Sequence, residues 1–160
     1  MPITATLLTP AEPSPAVPDL SAAYDWSANR AALDRLLGTW LDSLDVDRLC
    51  ALTVLCEERM SVHFSAQLLD AVRWEAALAV ACGETASKSP VTTVRFGTAS
   101  WENGVFYQEC SAEFVHADGA VSTLDCGEAV AGHLADLSSI DHPDDADTLT
   151  VDLLTGRITT

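Results

Sequence analysis

Residues 91–125 read VTTVRFGTASWENGVFYQECSAEFVHADGAVSTLD, and this stretch decides the fold. Apolar and polar residues alternate with a period of two, the pattern of half-buried strands. Asn103-Gly104 and Asp118-Gly119 interrupt the alternation, and such pairs supply the positive φ that tight hairpin turns demand. The spacing predicts strands over 91–99, 105–116 and 120–125, joined as a three-stranded antiparallel meander. In a straight strand over 105–116, Phe106, Cys110, Ala112 and Phe114 share the inner face. Tyr107, Glu109, Ser111 and Glu113 share the outer one.

Upstream the period changes to that of a helix. Leu33, Leu36, Leu37, Trp40, Leu41 and Leu44 form one apolar stripe behind a Ser27 cap. A second helix is expected over 46–58, capped by Asp45 or Asp47. Met60, Val62 and Phe64 then alternate with Ser61 and His63, the pattern of a short strand or of a frayed end to helix two. Ser65 is placed to cap a third helix over 66–82, with Leu68, Leu69, Val72, Ala76, Ala79 and Val80 inward and Gly83 ending it. Downstream, 127–137 reads as a short helix, 141–147 as an acidic loop, and 149–154 with 157–160 as a terminal hairpin.

Residues 1–24 hold Pro2, Pro10, Pro13, Pro15 and Pro18 and read as a flexible proline-rich arm, with Trp26 docking it to the first helix. The expected organisation is this arm followed by a single α+β domain, 25–160. In that domain an N-terminal three-helix layer packs on a C-terminal antiparallel sheet, a meander plus a terminal hairpin.

Charge is distributed unevenly. The net charge is −16; residues 1–99 hold twelve acids and seven bases, whereas residues 100–160 hold twelve acids and only Arg157. Such a gradient disfavours nucleic acid and anionic membrane as direct ligands and favours a basic protein surface. Lys88 is the only lysine. The five cysteines include no CxxC pair, and Cys50, Cys56 and Cys82 fall in apolar helical stretches as small hydrophobes, which suits a reducing compartment. With no apolar segment of membrane-spanning length and no secretory leader, the chain reads as a soluble, cytoplasmic protein.

No nucleophile elbow, Walker loop or dinucleotide fingerprint is present. Glu109 and Glu113, four strand residues apart, would stand about 13 Å from each other, too far for a glycosidase pair. The 141–147 run is rich in oxygen donors but lacks the spacing, glycine and closing Glu of an EF-hand. Zinc would have to draw on scattered Cys110, Cys126 and His133. Cys126 and His133 are also a thiol and an imidazole close in sequence. No catalytic residue, cofactor or metal is assigned.

The function these observations favour is non-catalytic: an acidic protein-binding domain that engages and masks or inhibits a basic protein, nucleic-acid-processing enzymes and basic toxins being the natural targets. Glu109, Glu113, Asp144, Asp145 and Asp147 would steer the partner, and Trp101 and Tyr107 would supply apolar contact. One alternative is a small enzyme with a pocket between helices and sheet. Another is a structural subunit that assembles as a homo-oligomer through its second and third helices, whose mark would be a large exposed apolar patch.

Overall fold

The computed structural model describes residues 30–160. The proline-rich arm, Trp26 and the Ser27 cap lie outside the described residues. The chain divides into two compact units, one running to Thr53 and the other from Val54 to Thr160.

In the first unit, α1 (Arg30–Asp42) is followed by a turn and the start of α2 (Val46–Cys82). The Ser43 and Leu44 amides donate back to the Trp40 and Leu41 carbonyls, closing α1. Asp45 then caps α2, its carboxylate accepting from the Arg48 amide at 2.9 Å. No described side chain between Asp34 and Thr53 is buried; Leu37, Trp40, Leu41 and Leu44 are half-buried.

Helix α2 is 37 residues long and continuous. The expected strand or frayed end at 60–64 and the cap at Ser65 are therefore corrected: one helix runs through both. No Gly or Pro stands between Val46 and Cys82 to break it. It ends where expected. Gly83 takes φ +74°, the Gly83 amide bonds the Val80 carbonyl, and the Glu84 amide bonds Ala79, which together make a Schellman cap.

In the second unit the α+β class holds: the second and third helices expected before the sheet are the single α2, and the short helix expected over 127–137 is the third, α3 (Glu128–Asp141). The strands are β1 (Val91–Phe96), β2 (Thr98–Trp101), β3 (Gly104–Tyr107), β4 (Ala112–His116), β5 (Val121–Leu124), β6 (Leu149–Asp152) and β7 (Ile158–Thr159). Five form an antiparallel sheet ordered β5-β4-β1-β6-β7, and β2-β3 is a separate two-stranded pair. The expected meander is present in outline, but its two long strands are each broken, at Gly97 and across residues 108–111.

The break changes which side chains face inward. Ala112, Phe114 and His116 are buried, and so is Tyr107, at 4% exposure. Tyr107 and Ala112 are five positions apart, an odd offset that an unbroken strand cannot accommodate on one face. Ser111, at φ +56°, makes the adjustment. The inner face therefore carries Val94, Phe96, Ala112, Phe114, Leu149 and Val151. Leu68, Val72 and Ala76 of α2 and Val130, Leu134 and Leu137 of α3 join them in one core. Each fully buried aliphatic side chain contributes on the order of 1.5–3 kcal/mol.

The outer face is not the acidic surface expected. It carries Thr93, Arg95, Glu113, Val115, Val121, Thr123, Thr150, Asp152 and Thr159, none of them buried. Glu113 lies 3.5 Å from Arg95 across the β1–β4 pair, so its charge is locally answered. The Asp152 carboxylate accepts from the Leu154 and Thr155 amides and shapes the turn into β7.

The segment between α2 and β1 is fastened by polar contacts. Ser87 and Ser89 donate their hydroxyls to Asp118 at 2.6 and 3.0 Å. The buried His116 ring bridges the Ser89 carbonyl (2.7 Å) and the Ser122 hydroxyl (3.0 Å), and Ser122 also accepts from the Ala86 amide. The Ser89 carbonyl can only accept, so Nδ1 donates to it, and Nε2 pairs with the Ser122 hydroxyl, so both ring nitrogens have partners.

Candidate functional site

The acids of the C-terminal part fall into separate groups. The first lies where the β2–β3 hairpin meets the loop after α3. Thr98 donates its hydroxyl to the Asp145 carbonyl at 2.8 Å, and Ser100 donates to the Asp145 carboxylate. The loop folds on itself: the Asp144 amide donates to the Asp147 carboxylate at 2.8 Å, and the Asp147 amide to the Asp144 carbonyl at 3.0 Å. His142, in the left-handed region at φ 47°, ends α3 by donating its amide to Ser138. Pro143 behind it is buried.

Trp101 stands at the tip of this hairpin, paired across the strands with Gly104 and 67% exposed. Glu102 follows it in the turn. From Gly97 to Gly156 the sequence has no Lys or Arg, so no lysine or arginine of this segment offsets Glu102, Asp141, Asp144, Asp145 and Asp147.

Tyr107 lies beneath this surface, not on it. Its backbone amide donates to the Ser138 hydroxyl at 2.9 Å, and Ser138 in turn donates to the Leu134 carbonyl at 2.7 Å. Burial pushes the Tyr107 phenol up to about 12, and the nearby Asp141 and Asp147 charges add to the shift. Asp141 is itself raised above the ordinary carboxylate range by burial, with His142 acting in the opposite sense. Tyr107 therefore positions the hairpin on α3 and is withdrawn from the set of partner-contacting residues.

Of the residues singled out in the sequence, Asp144, Asp145 and Asp147 share one loop, which Thr98 and Ser100 tether to β2; Trp101 follows Ser100 at the hairpin tip, on the opposite face of the strand. Glu113 is on the outer sheet face with Arg95. Glu109 occupies the loop that interrupts the strands, where its carbonyl accepts from the Cys126 amide at 3.0 Å. Its carboxylate belongs to a second acidic group with Glu75 and Asp125 around Cys126. Burial, followed by the charges of Glu75, Asp125 and Glu109, pushes that thiol up to about 12. These acids do structural work: Asp125 accepts from the Ser111 amide at 2.8 Å, and Glu75 accepts from the Gly127 amide at 3.0 Å at the start of α3. No hydrogen bond joins Cys126 to His133 among the described residues, whose Nδ1 is buried without a partner.

Three features went unread in the sequence. Ser100 and Thr98 looked like ordinary strand residues, yet they tether the acidic loop. Cys50, Cys56 and Cys82 are exposed on α2 instead of packing as small hydrophobes. Large apolar side chains of α2 are also exposed, among them Trp74 at 72%, Val62 at 67% and Leu78 at 46%. The alternation at Met60–Val62–Phe64 disguised this face, because it imitates a strand.

No group of three or more His, Cys, Asp or Glu side chains among the described residues is arranged to hold a metal ion. No helix among them is long and apolar enough to cross a membrane. No protein-family model matches the chain, and no curated protein and no solved structure match it.

Proposed function

We propose that this protein is a non-catalytic binding module whose hairpin–loop surface engages and masks a basic protein. The observation that carries the reading is an exposed Trp101 at the tip of a hairpin whose other face, through Thr98 and Ser100, holds the acidic Asp144–Asp147 loop. A tryptophan in a contact supplies large apolar area, while acids that form no ion pair among the described residues attract a cationic partner and raise its association rate. The interaction weakens as salt screens the field, over a Debye length of about 8 Å at physiological ionic strength.

A nona-arginine peptide, titrated by fluorescence anisotropy across a salt series, tests the surface. Trp101→Ala is expected to weaken binding at least tenfold. The combined change Asp144→Asn, Asp145→Asn, Asp147→Asn is expected to slow association and flatten the salt dependence. Glu113→Gln, on the outer sheet face, serves as the control with unchanged binding. Equal affinity for all four proteins would sink the reading.

A second reading, assembly through α2, is favoured by one observation. Met60, Trp74 and Leu78 recur on one side of the helix at 42%, 72% and 46% exposure. Leu68, Val72, Ala76 and Ala79 occupy the side turned to the core. A large contiguous apolar surface would mark an interface. Light scattering separates the two readings: an α2 assembly persists at high salt and is dispersed by Trp74→Glu, whereas acidic docking fades with salt.

A further inference from the structure

The eight bases of this strongly acidic chain are mostly scattered, but two of them converge on one apolar recess. Arg73 and Lys88 line a cavity of about 400 Å³ whose other walls are Ala76, Ala77, Val80, Pro90, Val91 and Leu153. The volume falls in the range of small-molecule sites, and such sites join an apolar wall to a few placed polar groups. No carboxylate is part of the lining.

Neighbours hold the Arg73 guanidinium and the backbone around Lys88 at the rim. Arg73 donates from its guanidinium to the Leu153 carbonyl at 3.1 Å. The Asp70 carboxylate is 3.9 Å from Arg73, with both side chains largely in water, so the pairing is weak and replaceable. Lys88 sits between Ser87 and Ser89, whose hydroxyls are both anchored on Asp118, and the Ser89 carbonyl is bound by His116. Its backbone is thus fixed on both sides, and it forms no ion pair among the described residues.

We propose that this recess between α2 and the segment leading into β1 binds a single-chain amphiphile with an anionic head, such as a medium-chain carboxylate. The alkyl chain lies against Ala76, Ala77, Val80, Val91 and Leu153, and the head group sits between Arg73 and Lys88. The pairing is selective in both parts. The apolar wall rejects small hydrated anions, and the two cations distinguish a carboxylate from an alcohol of equal length. The remaining charge of the chain repels anionic bilayers, so the ligand is taken as a free molecule. This site is separate from the hairpin–loop surface, and the two stand or fall independently.

Octanoate titrated into the full chain below its aggregation threshold, followed by amide chemical shifts, is the test. Saturable shifts are expected at Val80, Lys88, Val91 and Leu153 and not at Trp101. Octanol and octyltrimethylammonium are expected to bind at least tenfold more weakly. Arg73→Gln with Lys88→Gln is expected to lose at least tenfold in octanoate affinity, and Ala77→Trp, which fills the recess from an exposed position, to abolish binding. All these positions are at the surface, and unchanged circular dichroism confirms that the variants fold. Octanol binding as tightly as octanoate, Ala77→Trp binding normally, or an absence of saturable shifts would each overturn the proposal.

Discussion

The β1–β4 pair and the β2–β3 pair are two parts of one antiparallel excursion of the chain, yet they have opposite fates. The first lies in the centre of a sheet, with Val94, Phe96 and Phe114 under two helices. The second leaves that sheet, keeps only Tyr107 in the core and carries Trp101 into solvent. The difference arises at Gly97 and at residues 108–111, where the ladder is interrupted and the face parity reverses. A short irregular segment thus converts the far end of a structural hairpin into a presented surface.

Substitutions that separate stability from exposure break or sharpen this contrast. Phe114→Ala, in the central part, is expected to cost about 3–5 kcal/mol of unfolding free energy by urea denaturation. Tyr107→Ala, at the junction, is expected to lose about 2–4 kcal/mol, since it removes the only core anchor of the β2–β3 pair. His116→Leu leaves the Ser89 carbonyl and the Ser122 hydroxyl short of a partner and is expected to cost about 1–3 kcal/mol. Trp101→Ala, at the tip, is expected to change stability by less than about 0.5 kcal/mol. A large loss at Trp101, or a negligible one at Phe114, would reverse the assignment of core and surface.

Two smaller effects follow from ionisation. Hydrogen bonds from Ser87, the Ala120 amide and Ser89 hold Asp118 below the ordinary carboxylate range. A carboxyl with a depressed folded value contributes stability that is present above its unfolded value and is lost as pH falls through the folded one. Acid unfolding of Asp118→Asn is therefore expected to be less steep at low pH than that of the parent. Cys126, raised to about 12, is expected to resist iodoacetamide at pH 8, while exposed Cys50, Cys56 and Cys82 are modified. Mass spectrometry of the alkylated chain reads both outcomes at once.

Turn chemistry was the most legible layer of the sequence. Asn103-Gly104, Asp118-Gly119, Thr155-Gly156 and Gly83 all end elements where their backbone freedom suggested. Continuity was less legible. Met60, Val62 and Phe64 satisfy a period of two by coincidence, and Ser65 is as compatible with a helix interior as with a cap. Only the absence of Gly and Pro across 46–82 pointed to one helix. Helix α2 also overreaches its sheet: 29 residues of it belong to the second unit, about 43 Å, whereas the six-residue β1 spans about 20 Å. Its buried positions accordingly run only from Leu68 to Ala79.

The acidic surface was half legible. Counting charges located the excess after Arg95, but alternation assigned Glu109, Glu113 and Tyr107 to one sheet face. That assignment required an unbroken strand. The left-handed conformation of Ser111 that breaks it is unusual for a serine and leaves no mark in composition. The tether from Ser100 to Asp145 spans 45 residues and is invisible to any local pattern.

The place of β1 has a consequence for how the chain is made. It pairs on one side with β4, but on the other with β6, where Phe96 meets Leu149 and Thr93 meets Asp152. During synthesis, β4 and β5 emerge soon after β1, whereas β6 follows only after α3 has been completed. Until then one edge of β1 presents unsatisfied amides and carbonyls, a template for pairing with another nascent chain. Polar Thr93 and charged Arg95 on that edge are the kind of residues that discourage such pairing. A stalled chain ending before Leu149 is therefore the form of this protein most prone to aggregate.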